Sequence, residues 1–389
     1  MEIYHQLGHN HKWSLDSHFV NDIGDGFIFN AYSFMYGKIG NPISGYKAED
    51  YLPISMIDHQ FFGNKASQGG KLGTYPYHPI HDSSSQGTCV SGVDCIMASI
   101  KYQQELGLKR IIVPSFFYEL GDVARTIDIL NRVNKKLQKV RGDEEFYMTL
   151  CFSDNQIASS EYIEKILRAA TDMSIAFDGY YIASGASLEY KKKISVNVSY
   201  YTNLLNVLTT LKAQGFKTIL GYANWDALVF LSLVDVDGVT IGTYENLRNF
   251  SVTRFTEDTA GGPSKGWYYS EKLLNMIKAQ QLGIVRARNC ISLIANEKNI
   301  FSDVILQDEY YRDTHKPDVH KNYLLAVSRQ LKELAGKPLS ARPSAFLERV
   351  EEARELYERL ERDHKVFLTD ESADYHLGIW QSVIKMNAA

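Results

Sequence analysis

Short apolar runs alternate with helical patterns through the middle of the chain. One run spans residues 109–117, and the segment after it carries apolar residues at spacings of four, three and seven, which places them on one face of a helix. Four further runs follow at intervals of roughly 30 residues, at 146–152, 179–183, 217–221 and 238–242. Strands that alternate with helices predict βα units and a parallel sheet.

The N-terminal part adds three more apolar runs, at 2–6, 26–31 and 54–58. Eight strands over about 245 residues match a closed barrel, so we predict an α/β fold, a (β/α)8 TIM-type barrel over residues 1–255. An open doubly wound sheet is the alternative, because the third strand has a weak signal. No GxGxxG motif follows the first strand, which argues against a dinucleotide-binding sheet.

Two long stretches, residues 34–51 and 61–90, interrupt the alternation of strands and helices. Both are rich in Gly, Ser and Pro. Loops of this length inside a compact domain are usually binding loops or lids. In a barrel they would leave the C-terminal ends of the second and third strands, which is the side where barrel enzymes carry their chemistry.

After about residue 255 the strand pattern fades, and we predict a helical C-terminal region over residues 256–389. A first helix is expected at 267–282, and a helix hairpin at about 318–363. Gly336 would end the first helix of the hairpin, and Pro343 would open the second. The sequence leaves open whether the apolar faces of this hairpin pack on the barrel or on a partner.

Composition narrows the class of protein. The 389 residues are 44% hydrophobic and 23% charged, with a net charge of −4, which is typical of a globular protein and excludes a disordered tail, a collagen and a membrane channel. Neither a signal peptide nor an apolar run of ~18 residues is recognisable. We therefore expect a cytoplasmic protein that does not enter a membrane. The net charge also argues against a uniformly basic nucleic-acid coat.

Carboxylates follow several strands directly, where a barrel would bring them to one mouth. They are Asp58, Asp154, Asp226 and Glu245. Two carboxylates about 5–10 Å apart suit the cleavage of a glycosidic bond. We predict Asp154 and Glu245 as the acid/base and the nucleophile or stabiliser, with Asp58 as a third catalytic candidate. The alternative is that Asp154 and Asp226 cap the helices that follow them.

The proposed reaction is hydrolysis or transfer at an O- or N-glycosidic bond, on a small sugar-like or nucleoside-like substrate, without a cofactor. Other polar and aromatic residues at the strand ends would bind that substrate. These predicted binding residues are Asn30, His59, Gln60, Ser184, Asn224, Trp225, Asp226, Thr243 and Arg248.

Histidines concentrate near the N-terminus. The motif His9-Asn10-His11 after the first strand resembles the metal-binding opening of amidohydrolase barrels, which implies a divalent metal. That family also requires histidines after its fifth and sixth strands, yet this chain has none between residues 82 and 314. We therefore predict no metal and keep His9 and His11 only as candidate ligands, alone or with Asp58 and His59, of a metal-dependent hydrolase.

Residues 237–243, which follow Gly221 on the preceding strand, look like the last two strands of phosphate-binding barrels. In such barrels, glycines let backbone N–H groups approach a phosphate. Asn246, Arg248 and the loop 261–266 would add donors and charge. This resemblance implies a phosphate or phosphodiester at this edge of the mouth.

A second hypothesis comes from another class of function. The chain would be a non-catalytic or effector-coupled subunit that docks a protein partner through its C-terminal helices, including in an assembly that contains nucleic acid. Deletion of residues 318–389 would then abolish assembly.

Overall fold

The computed structural model describes residues 1–63, 71–81, 92–256, 267–310 and 316–388. Eight parallel strands form one sheet in the order β3-β2-β1-β8-β7-β6-β5-β4. The strands are β1 (Glu2–Leu7), β2 (Gly26–Asn30), β3 (Ser55–Asp58), β4 (Arg110–Val113), β5 (Glu145–Phe152), β6 (Gly179–Ser184), β7 (Lys217–Gly221) and β8 (Gly238–Gly242). First and last strands pair, and β3 lies beside β4, so the sheet is a nearly closed barrel. The predicted (β/α)8 TIM-type fold is confirmed.

Helices follow the strands, as the alternation of patterns predicted. They are α1 (His11–Asn21), α2 (Ala48–Tyr51), α3 (Gly92–Glu105), α4 (Val123–Val140), α5 (Asp154–Ala158), α6 (Ser160–Ala170), α7 (Val198–Ala213), α8 (Ala227–Leu233) and α9 (Thr253–Thr256). After β2 the only helix that the structure describes within the stretch predicted to be irregular is the four-residue α2, and one short 3-10 helix (Leu52–Ile54) follows it before β3. The stretch 61–90 falls largely outside the described residues.

Side chains alternate between the barrel interior and the surrounding helices. The interior is packed with a cluster of large side chains from all but the last strand, among them Tyr4, Met56, Tyr147 and Tyr181. It is therefore a filled core and not a pore. Toward the C-terminal ends of the strands this packing gives way to polar side chains.

The C-terminal region begins with a β-hairpin and not with the predicted helix. Strands β9 (Tyr268–Ser270) and β10 (Asn275–Ile277) pair antiparallel, and Leu274 before β10 adopts a left-handed conformation with φ 49°. The prediction of a helix at 267–282 is wrong because contacts far along the chain hold the hairpin. The Asn275 side chain donates to the carbonyl oxygens of Glu371 (3.2 Å) and Ala373 (2.8 Å).

Helices follow the hairpin and pack on the barrel. They are α10 (Ala279–Ala287), α11 (Ile291–Ile294), α12 (Ile300–Ile305), α13 (Asp318–Ala335), α14 (Arg342–His364) and α15 (Leu377–Asn387). The helices α13, α14 and α15 all contact α8, and the Trp380 indole on α15 donates to the Tyr201 hydroxyl on α7 at 2.9 Å. The apolar faces that suggested partner docking are thus covered within the chain. Within the described ranges, no helix has the length and apolar character needed to cross a membrane.

Candidate active site

Buried polar side chains meet at the C-terminal ends of β1, β2 and β3. Gln6, Asn30 and Asp58 lie two residues beyond the interior positions Tyr4, Ile28 and Met56, so the alternation of each strand turns all three inward. The Gln6 amide donates to Asn30 Oδ1. We call the group that these residues form the Asp58 cluster; its members are Gln6, Asn30, Asp58, Gln60, Tyr181 and Tyr222.

Asp58 is the centre of this cluster and is only 1% exposed. Its Oδ2 accepts from the Tyr222 hydroxyl at 2.7 Å, and its Oδ1 accepts from the Gln60 N–H at 3.0 Å. The Tyr181 hydroxyl, 3.3 Å from Asp58 Oδ2 and 3.3 Å from Gln6 Oε1, is shared between them. Burial raises the pKa of Asp58 to about 6, while these donors and the nearby positive charge of Arg254 oppose the rise.

Two residues of the cluster have left-handed backbones. Gln60 follows β3 with φ 55°, and Tyr222 follows β7 with φ 51°. Their side chains are hydrogen-bonded to each other, since Gln60 Nε2 donates to the Tyr222 hydroxyl at 2.7 Å. The other end of the Gln60 amide is also bound, because its Oε1 accepts from the Tyr32 N–H at 2.9 Å. Residues other than glycine are strained in this backbone conformation, and such strain is concentrated at functional sites.

Aromatic rings from two loops are part of the same interior cluster as the barrel core. The Phe62 ring lies 4.9 Å from that of Phe250 and 5.3 Å from that of Phe255, and Phe250 packs on Tyr222 at 5.3 Å. Gly63 permits the close approach of the two loops, since a Cβ there would lie 2.1 Å from the Phe255 carbonyl oxygen. These rings keep water away from the tyrosine that binds Asp58.

A second polar group lines a pocket at the ends of β6, β7 and β8. We call it the Arg248 pocket; its polar lining is Ser184, Tyr200, Tyr222, Asn224, Asp226, Arg248 and Asn249. Four of the predicted binding residues, Ser184, Asn224, Asp226 and Arg248, are therefore brought together. Tyr222 belongs to this lining and to the Asp58 cluster, so one residue joins the two groups.

Asp226 is the buried carboxyl group of the Arg248 pocket. Burial raises its pKa to about 7, and a hydrogen bond with Tyr201 opposes the rise. Its side chain makes no capping hydrogen bond to α8, so the capping alternative is wrong for Asp226. It is wrong for Asp154 too, because Ser153 is the cap of α5 and forms a capping box with Gln156.

The predicted catalytic residues Asp154 and Glu245 lie in more exposed places. Asp154 is exposed on the first turn of α5, where it accepts from the Asn155 N–H at 2.9 Å. Glu245 is half-exposed and bonds to Lys193 Nζ at 2.6 Å. Among the described residues, neither forms a hydrogen bond with the Asp58 cluster. Their catalytic pairing stays a prediction.

Three other predicted binding residues pack away from the Asp58 cluster. His59 Nε2 lies 2.8 Å from the Tyr77 hydroxyl, and burial lowers the pKa of His59 to about 3. The Thr243 carbonyl accepts from His320 at 2.6 Å, and Trp225 is buried against the Tyr269 ring at 5.6 Å. Asn30 and Gln60, in contrast, belong to the Asp58 cluster.

The candidate metal ligands are not gathered into one site. His9 is exposed, and the His11 ring packs on Phe34 at 4.9 Å. In the parts of the chain that the structure describes, no three His, Cys, Asp or Glu side chains are grouped so as to hold a metal. The loop 261–266, which was expected to add phosphate donors, lies outside the described residues.

Sequence reasoning missed Tyr181, Tyr222 and Arg254. Tyr222 directly follows β7, and the other mouth residues were selected because they directly follow strands. Its aromatic ring, however, suggested a residue of the hydrophobic core. Tyr181 lies within β6, and only its place on the inward-facing side of that strand shows that its side chain points into the barrel interior. No protein-family model matches this chain, and no curated protein matches it.

Proposed function

We propose that this chain is an enzyme that hydrolyses or transfers a glycosidic bond, O-linked in a sugar or N-linked in a nucleoside. The observation that carries the proposal is that two buried carboxyl groups with raised pKa, Asp58 and Asp226, lie at or just after the C-terminal ends of barrel strands. The Tyr222 hydroxyl donates to Asp58, and Tyr222 is among the residues that line the pocket containing Asp226. Cleavage at an anomeric carbon generally uses one protonated and one ionised carboxyl group.

Different environments suit the two carboxyl groups to different roles. Asp58 receives hydrogen bonds from Tyr222, Tyr181 and the Gln60 N–H, all of which favour its carboxylate. We assign Asp58 as the ionised group that stabilises the cationic sugar carbon or attacks it. Asp226 receives fewer such bonds, and its pKa of about 7 lets it hold a proton at neutral pH. We assign Asp226 as the general acid.

The proton balance of the reaction follows from these roles. Asp226 gives its proton to the leaving oxygen or nitrogen as the bond to the anomeric carbon breaks. Water or an acceptor hydroxyl then adds its oxygen to that carbon, which breaks any bond that Asp58 has formed to the carbon and frees its carboxylate, and a proton returns to Asp226. The surrounding aromatic rings lower the local dielectric and so strengthen the attraction between the Asp58 carboxylate and the developing cation.

The test compares variants on substrates with good and poor leaving groups. The substrates are nitrophenyl glycosides, alkyl glycosides and nucleosides. Asp58→Asn should lower kcat about 100-fold or more on every substrate that the wild type cleaves. Asp226→Asn should lower kcat by a similar factor only on alkyl glycosides and nucleosides. Nitrophenyl glycosides should be spared, because nitrophenolate departs without needing a proton from a general acid. Asp128→Asn, an exposed position on α4, is the matched control and should change nothing.

Two outcomes would contradict the proposal. If Asp154→Asn or Glu245→Gln abolishes cleavage while Asp58→Asn keeps it, the roles belong to the exposed pair. If the wild type cleaves no member of the three substrate sets and none of their phosphorylated counterparts, the reaction class itself is wrong. Circular dichroism of each variant separates loss of chemistry from loss of fold.

A further inference from the structure

The Arg248 pocket contains a buried cation that no carboxylate neutralises within the described part of the chain. Arg248 is 8% exposed. Its guanidinium lies 4.2 Å from the centre of the Tyr323 ring, and its Nη1 contacts Met276 Sδ at 3.8 Å. Its Nε has no hydrogen-bond partner. A buried guanidinium is normally paired, because removing its charge from water is costly.

Two further donors in the same pocket are also without partners. The Ser184 Oγ and the Asn249 Nδ2 are buried and make no hydrogen bond. The orientation of the Asn249 amide is set by its other end, since its Oδ1 accepts from Asn224 Nδ2 at 3.4 Å. Asn224 is itself held by the Tyr323 hydroxyl, which donates to its Oδ1 at 3.2 Å. The free Asn249 Nδ2 is therefore a fixed donor.

We propose that the Arg248 pocket binds a phosphate group of the substrate. The pocket offers a guanidinium, a hydroxyl and an amide N–H, which is one donor for each of the three free oxygens of a phosphate monoester. A carboxylate has only two oxygens and would leave one donor unmet. The substrate would then be a phosphorylated glycoside or a nucleotide, an assignment that rests on the proposed function for the identity of the scissile bond.

The neighbouring Asp226 is compatible with a bound phosphate. Because burial raises the pKa of Asp226 to about 7, its side chain is less ionised near neutral pH than an exposed carboxyl group and repels an anion less. A bound phosphate would in turn favour the protonated form of Asp226, which is the form that a general acid needs.

The test measures binding of inorganic phosphate to the full chain by isothermal titration calorimetry at constant ionic strength. We expect saturable binding that weakens at least 10-fold in Arg248→Gln and about 3- to 10-fold in Ser184→Ala and Asn249→Ala. Asp128→Asn, the exposed control on α4, should bind phosphate as the wild type does. Acetate should bind more weakly than phosphate. If Arg248→Gln does not fold, the Ser184 and Asn249 variants decide the result.

Three results would overturn the phosphate assignment: no saturable binding, phosphate affinity unchanged in all three pocket variants, or tighter binding of acetate than of phosphate. Failure of the proposed function has a different signature. A chain that binds phosphate through Arg248 but cleaves no glycoside, phosphorylated glycoside or nucleotide keeps the phosphate site and loses the reaction.

Discussion

The Asp58 cluster and the Arg248 pocket differ in how their polar side chains are satisfied. On the β1–β3 side, the members of the Asp58 cluster bond to one another and to nearby backbone N–H groups. On the β6–β8 side, three donors of the Arg248 pocket have no partner in the described residues. A satisfied network fixes its side chains before a ligand arrives, whereas unpaired donors gain their bonds from the ligand.

The two buried carboxyl groups show the same contrast. Burial raises the pKa of both, but Asp58 accepts from two tyrosines and a backbone N–H and its pKa reaches about 6, whereas that of Asp226 reaches about 7. Both groups are buried, and Asp58 accepts more side-chain hydrogen bonds that favour its carboxylate than Asp226 does. The comparison teaches that two carboxyl groups with similar burial in one barrel mouth can differ in the hydrogen bonds that favour their ionised forms.

The largest expected effect is on the pH dependence of stability. Asp226 has a folded pKa of about 7 against its usual 3.8, so the folded state binds more protons between these values and stability falls as pH rises through them. Asp226→Asn removes this loss. We expect the variant to exceed the wild type by about 2–4 kcal/mol in free energy of unfolding at pH 8.

The measurement is urea unfolding of both proteins from pH 4 to pH 8. Near pH 4 the two should have similar stability, because Asp226 is then protonated in the folded state. If the difference between them does not grow with pH, Asp226 is ionised in the folded protein, and the contrast between the two carboxyl groups disappears.

The second-largest expected effect is on the hydrogen bonds of the Asp58 cluster. Tyr222→Phe removes the hydroxyl that donates to Asp58 and accepts from Gln60. Two buried polar groups then lose a partner, and we expect a loss of about 2–3 kcal/mol in free energy of unfolding at pH 7. Tyr181→Phe is the matched variant and should cost less, since its contacts are 3.3 Å long. Equal losses in the two variants would show that Tyr222 is not the main support of Asp58.

Much of this architecture could be predicted from the sequence, because apolar runs bounded by glycine mark the strands. The bounds of β7 and β8 coincide with the predicted 217–221 and 238–242. Asp58 could be selected as well, since it ends a strand before a loop. What a local pattern could not supply is the partner set: Tyr181 and Tyr222 reach Asp58 from more than 120 positions away, across the barrel.

The same limit explains the misplaced helix. Residues 267–282 read as a helix in isolation, yet Asn275 is held by carbonyl oxygens about a hundred positions away. For Asp226, local sequence favoured a helix cap, but the fold supplies Tyr201 and a buried pocket in its place. The errors thus fall where tertiary contacts override local preference.

The smallest expected effect is on the Arg248 pocket, whose donors lack partners. Ser184 Oγ has no partner, so Ser184→Ala removes no hydrogen bond and should change the free energy of unfolding by less than about 0.5 kcal/mol. Ser270 is the matched control, because it is also buried but donates to the Ile294 carbonyl at 2.7 Å; Ser270→Ala should cost about 1–2 kcal/mol. A loss at Ser184 as large as at Ser270 would mean that its hydroxyl is already satisfied, and the contrast between the two sides of the mouth would fail.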